Sequence, residues 1–176
     1  IDADTGEKLA RVAMSAFCRG DGGFGGENRP GPTPAELPDR APDHVCDIET
    51  LPRQALIYRL SGDYNPLHAD PDVARSVGFD RPILHGLATY GLAARAILKS
   101  LLDYDASRLV GLDVRFSAPV YPGETLDGFT TVEDTKVSKS KPHLGLVLMT
   151  HELRNGNGDT VVRVSCWGIF TRRGHD

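Results

Sequence analysis

The sequence predicts an α+β domain, and three observations carry that prediction. Residues 86–102 contain no proline and are rich in Leu and Ala, as a main helix requires. Four later segments, residues 109–118, 125–137, 143–154 and 160–171, alternate in the manner of antiparallel strands. Turn clusters separate those segments at Pro122-Gly123, residues 138–142 and residues 155–159. Periodicity alone supports α+β and no finer class.

The earlier elements follow in chain order. Residues 8–19 read as a strand, with Leu9, Val12, Met14, Ala16 and Cys18 in rough alternation. Residues 20–26 are a glycine-dense turn. The next stretch holds Pro30, Pro32, Pro34, Pro38 and Pro42, which excludes a regular element and predicts an extended connector. A short first strand is expected near residues 44–48. Thr50 is the expected N-cap of a short helix carrying Ala55, Leu56, Tyr58 and Arg59, which Gly62 ends. Residues 71–77 form a second short helix, with Asp70 as its cap, Pro71 at its first position and Gly78 closing it. On the main helix, Leu87, Tyr90, Ala94, Ile97 and Leu101 are the expected core-facing stripe. Gly86, Ala88, Gly91, Ala93 and Ala94 would let that helix approach a sheet closely.

Composition excludes several function classes. The 176 residues suffice for one domain with a real core, and the apolar share of 40% is ordinary for a globular chain. Net charge is −4 and no Lys/Arg run exceeds a pair, which does not suggest a nucleic-acid surface. No apolar run approaches the ~20 residues of a membrane span, and residues 1–7 lack a signal-peptide core. Cys18, Cys46 and Cys166 are widely spaced without a Cys-x-x-Cys pair. No zinc site or other metal is expected, and a reducing compartment with buried thiols is; Cys46 is the expected exposed one.

Chemistry concentrates in Asp63-Tyr64-Asn65-Pro66-Leu67-His68. An acid and an imidazole five residues apart, bent around Asn-Pro, can converge on one water between groups of different pKa. The same residues also read as a helix exit, with Gly62 as stop, Asp63 as cap and Asn65-Pro66 as turn. Spacing leaves both readings open.

The run from Tyr58 to Pro71, Tyr-Arg-Leu-Ser-Gly-Asp-Tyr-Asn-Pro-Leu-His-Ala-Asp-Pro, resembles the signature of the R-specific enoyl-CoA hydratases, the hydratase 2 or MaoC-like dehydratase family. The likeness continues at Gly78-Phe79, at Arg81-Pro82-Ile83-Leu84-His85-Gly86-Leu87 and from Arg115 to Thr125. Upstream, Arg19 to Gly26 resembles the glycine-rich bridge of the two-repeat members. The resemblance implies a hot-dog fold, an antiparallel sheet wrapped around a central helix. It implies the C-terminal half of a double hot-dog, with residues 1–20 as the last strand of a mostly absent first repeat, 21–43 as connector and 44–176 as the catalytic domain; a single-repeat protein with an N-terminal extension is the alternative. A chain starting at Ile1 rather than Met is expected to be processed, trimmed or a fragment.

The substrate implied is a trans-2-enoyl-CoA, hydrated reversibly to the (R)-3-hydroxyacyl-CoA. Asp63 and His68 would hold the water, with His68 as base. Asn65 would brace the water or Asp63. Gly86 would offer a helix-terminal N–H to the thioester oxygen. His85 is expected to be a neighbouring hydrogen-bond donor or a cap. Tyr58 is expected in the pocket wall, and Arg81 and Arg115 are candidates to face CoA phosphates. His143, His151 and His175 show no ligand spacing and are expected on strand faces or the tail. No cofactor is implied beyond the CoA of the substrate. The expected partner is a second copy or an N-terminal hot-dog half, with no nucleic acid or membrane. The expected location is cytoplasmic, or peroxisomal in a eukaryote. A hot-dog thioesterase and a non-catalytic acyl-CoA-binding subunit are the alternatives.

Overall fold

The structure is a computed structural model that describes residues 1–9, 11, 21–27 and 39–174. The chain divides into two compact units, Ile1–Thr33 and Pro34–Asp176. In the first, the Asp2 carboxylate accepts from the N–H groups of Asp4 (3.0 Å) and Thr5 (2.7 Å), and Gly6 turns the chain at φ +71°. The strand expected over residues 8–19 lies largely outside the described residues, as does most of the proline-rich connector.

The second unit contains five strands: β1 His44–Glu49, β2 Leu109–Phe116, β3 Thr125–Val137, β4 Leu144–Arg154 and β5 Thr160–Thr171. Its helices are α1 Gln54–Arg59, α2 Pro71–Ser76 and α3 Gly86–Leu101. The sheet runs β1-β3-β4-β5-β2, and every pairing is antiparallel. The central strands β3, β4 and β5 are the long alternating segments, joined in sequence by tight turns. β2 leaves α3 and crosses to the far edge beside β5. The helix α3 packs on β1, β2 and β5, so the sheet curves around it. Ala93, Ile97, Leu126, Met149, Leu153, Val162 and Val164 fill the space between. Among the described residues, no helix is long and apolar enough to cross a membrane.

Two local expectations need correction. Thr50 does not cap α1; Arg53 holds the N-cap position, without a side-chain bond. Thr50 is instead buried at the end of β1, where its hydroxyl donates to the Glu124 carbonyl (2.7 Å) and accepts from the Gly123 N–H (2.9 Å). It pins the first strand to the turn before β3. The core-facing stripe of α3 is also rotated from the expected one. Its buried residues are Ala88, Thr89, Leu92, Ala93, Ala96 and Ile97, while Leu87 is 69% exposed. A helix lying close on a sheet presents small side chains to it and leaves large ones at the rim, so picking the largest apolar residues selects the wrong angle.

The sheet also buries polar groups. His151 of β4 lies in the core, with Nδ1 2.7 Å from the Thr130 hydroxyl and Nε2 3.1 Å from the Cys166 sulfur. Burial pulls its pKa down to about 4, with nearby His44 adding to the effect, and pushes the Cys166 thiol up to about 12. Cys46, expected to be exposed, is half-buried. On the other face of the sheet, the buried carboxylate of Glu152 receives Arg154 (2.6 Å) and Arg163 (2.9 Å). Burial raises its pKa, and the two guanidinium hydrogen bonds outweigh this and hold it below the usual value.

Candidate active site

The site grows out of the chain between α1 and α3. Gly62, at φ +105°, takes the left-handed conformation that a side chain resists and turns the chain out of α1. Asp63 then accepts the Asn65 N–H (3.2 Å), and the Asn65 side-chain oxygen accepts the Leu67 N–H (3.0 Å). These two bonds wind Pro66–His68 into a single 3-10 turn. Arg59 clamps the loop to α1 by donating to the carbonyls of Tyr64 (3.0 Å) and Asn65 (3.1 Å). The helix-exit geometry is therefore the device that places the acid and the imidazole.

His68 is 9% exposed and its Nδ1 lies 2.8 Å from the Ile83 carbonyl. A carbonyl only accepts, so Nδ1 carries a proton, and an uncharged ring then has its lone pair at Nε2. A carboxylate oxygen of Asp63, one ring nitrogen of His68 and one of His85 lie within 4.8 Å of one another. A water donating or accepting two bonds of about 2.8 Å at a tetrahedral angle spans ~4.6 Å. One water fits between these groups.

His85 stacks on His68, with ring centroids 3.8 Å apart and planes 27° apart, and the Tyr58 ring tilts against His85 with centroids 4.6 Å apart. His85 Nε2 faces the Asp63 main-chain oxygen at 3.3 Å, while its Nδ1 is buried without a partner. Burial lowers the pKa of His85, and the neighbouring His68 lowers it further. Three such groups invite comparison with a metal site. The two rings are nearly parallel, however, so their in-plane lone pairs do not converge at the wide angle that tetrahedral zinc needs.

Gly86 is the first residue of α3, and no side chain caps this helix end. Its N–H is one of the groups a helix cannot pair internally. A Cβ placed on Gly86 would meet only the Phe116 ring, at 3.6 Å, an ordinary contact. Packing within the chain does not demand glycine there.

The sequence-predicted residues thus separate into two groups. Asp63, His68, His85 and Tyr58 come together, with Gly86 next to His85. Asn65 reaches Asp63 through its backbone N–H, and its side-chain oxygen accepts the Leu67 N–H in the turn. Arg81 lies on a cleft of about 260 Å³ that His68, Pro52, Ala55 and Pro122 also line. Its guanidinium sits 4.9 Å over the Tyr121 ring. Arg115 is exposed on the edge strand β2, opposite Arg163, and makes no hydrogen bond or ion pair with the cluster. Sequence reasoning missed the Ile83 carbonyl and the Arg59 clamp. The first is a main-chain atom with no residue-type signal; the second was legible only as a charge near a turn.

A five-stranded antiparallel sheet curved around one helix, with an acid and a histidine at the helix entrance, defines a hot-dog domain of the hydratase or dehydratase kind. The chain belongs to the MaoC like domain family, whose model matches residues 34–152. It is 53% identical over 113 residues to Enoyl-CoA hydratase ChsH3 of Mycobacterium tuberculosis, covering 64% of this chain and 39% of that protein. It is similar to the crystal structure of a MaoC-like dehydratase from Phytophthora capsici (TM-score 0.67, 38% identity), over 85% of this chain and 50% of that one. It also resembles the unliganded R-hydratase PhaJ1 of Pseudomonas aeruginosa (TM-score 0.60, 25% identity), over 75% of this chain and 81% of that one. The chain spans about two fifths of the length of the curated relatives it matches first.

Proposed function

We propose that this domain hydrates a trans-2-enoyl-CoA to the (R)-3-hydroxyacyl-CoA and runs the reverse dehydration. The observation that carries the reading is the pairing of the Asp63 carboxylate with a His68 ring whose Nδ1 is committed to Ile83. His68 Nε2 takes a proton from the held water. The water oxygen forms its bond to C3, and the double-bond electrons move toward the thioester oxygen. The Gly86 N–H, at the positive end of the 16-residue α3, meets the charge that gathers there. The proton taken at His68 returns to C2 through the pair, and Asp63 orients the water and shuttles that proton. In this reading the thioester sits at Gly86, beside the Phe116 ring. The names of the relatives support this direction of chemistry, and the R-hydratase neighbour supports its stereochemistry.

The domain pairs with a second hot-dog unit in this reading, either another copy or an N-terminal repeat. The support is the edge strand β2, which carries exposed Val110 (57%) and Phe116 (47%) beside unpaired main-chain groups. Arg81, at the mouth of the cleft beside His68, is the better placed of the two arginines to meet a CoA phosphate.

The experiment is hydration of crotonyl-CoA by the wild type and by Asp63→Asn, His68→Ala and Asn65→Ala. The first two lower turnover by about 10²–10⁴, the scale of a proton-transfer group. Asn65→Ala also loosens the turn that presents His68. Undiminished turnover in folded Asp63→Asn contradicts the assignment.

A further inference from the structure

We infer that His85 is a positioning residue for the proton-transfer pair, an inference that rests on the hydratase reading above. Four observations meet on this one side chain. It is 1% exposed, it stacks on the His68 ring at 3.8 Å, and its Nε2 faces the Asp63 main-chain oxygen at 3.3 Å. Its remaining nitrogen, Nδ1, is buried with no partner. A buried polar atom left unpaired costs stability, so its retention calls for a role.

The hydrogen bonds define that role. The Asp63 carbonyl can only accept, so His85 carries its proton on Nε2, whereas His68 carries its proton on Nδ1. The two stacked rings are therefore opposite tautomers. The ring face of His85 fixes the plane of His68, and with it the direction of the Nε2 lone pair. The Nε2–H of His85 fixes the main chain from which the Asp63 carboxylate hangs. A single neutral ring thus sets both ends of the water bridge, and it sits immediately before the Gly86 N–H. The groups facing it are Tyr58 and Arg59 from α1, and Asp63 and His68 from the loop. A second positive charge is unfavourable among them, because it would lie against Arg59 and a stacked imidazole. Burial likewise favours the neutral form.

The test separates the two contacts. His85→Phe keeps a ring against His68 and removes the N–H, while His85→Gln keeps a donor of similar reach and removes the ring. Each is checked for folding by thermal unfolding, then examined by imidazole-nitrogen NMR and by steady-state hydration of crotonyl-CoA. In the wild type, His68 gives the signature of a single Nδ1–H tautomer. His85→Phe retains that signature and lowers kcat by about tenfold. His85→Gln averages it and lowers kcat by about 10²-fold, as a misplacement of about 1 Å does, with KM within about threefold of wild type. A folded Gln variant that keeps the single-tautomer signature overturns the inference whatever its activity. So does a loss of activity that lies in KM alone. An inactive wild type counts against the hydratase reading instead, and the NMR arm still decides the role of His85.

Discussion

The Asp63 to His68 segment does two things with the same atoms, and this shapes what single substitutions reveal. Asp63 offers one carboxylate oxygen to the Asn65 N–H, yet lies within one water of an imidazole nitrogen. Gly86 is the cleaner probe, because nothing in the chain needs the missing side chain. Gly86→Ala is expected to fold with stability within about 1 kcal/mol of wild type. Its hydration activity is expected to fall by about 10²-fold or more, the scale of a lost or blocked oxyanion donor. Thermal unfolding and turnover, measured on the same preparation, check both halves of that expectation. His151 gives a prediction in stability alone. Its folded pKa of about 4 lies below the unfolded value of 6.5, so the unfolded chain binds the proton more readily. Its contribution is therefore complete above about pH 6.5 and is lost as pH falls toward 4, amounting to about 3 kcal/mol at most. Denaturant unfolding across that window measures the slope, which His151→Gln is expected to flatten.

At the level of elements, what could be read in the sequence depended on how local its cause is. The bounds of β3 and β5 follow from alternation between turn residues, and Asp70 caps α2 by accepting from Asp72 and Val73, as its position before Pro71 implies. Thr50 misled because a threonine ahead of a helical run has the look of a cap, and its real partners lie more than seventy residues away. The α3 stripe misled because burial there is set by distance to the sheet rather than by side-chain size. Two substitutions test these nonlocal causes. Thr50→Val leaves the Gly123 N–H and the Glu124 carbonyl without the hydroxyl, and is expected to cost about 1–3 kcal/mol. Gly128→Ala places a Cβ 2.6 Å from the Cys46 carbonyl oxygen, so β1 has to move away from β3. Its expected cost is about 1–3 kcal/mol, the range for overpacking, read as a lower midpoint in urea.

At the scale of the whole sheet, the strand order makes β1 and β2 the edges, and the Asp63–His68–His85 cluster lies at the entrance of α3. Asp63, His68 and Gly86 stood out as candidates because the runs from Tyr58 to Pro71 and from Arg81 to Leu87 resemble a known signature, whereas spacing alone left a helix exit equally open. The Ile83 carbonyl, the tautomer it selects and the stacking of His85 did not, because they depend on where the main chain of one loop meets the ring of another. The measurement that bears most directly on the proposed function is hydration of crotonyl-CoA, followed as loss of the enoyl-thioester absorbance. Free thiol and product chirality are recorded in parallel for wild type and Asp63→Asn. Absorbance loss with (R)-3-hydroxybutyryl-CoA as product, no thiol release, and a fall of about 10²–10⁴ in the variant is the expected result. Thiol release matching the absorbance loss, or full activity in folded Asp63→Asn, contradicts it.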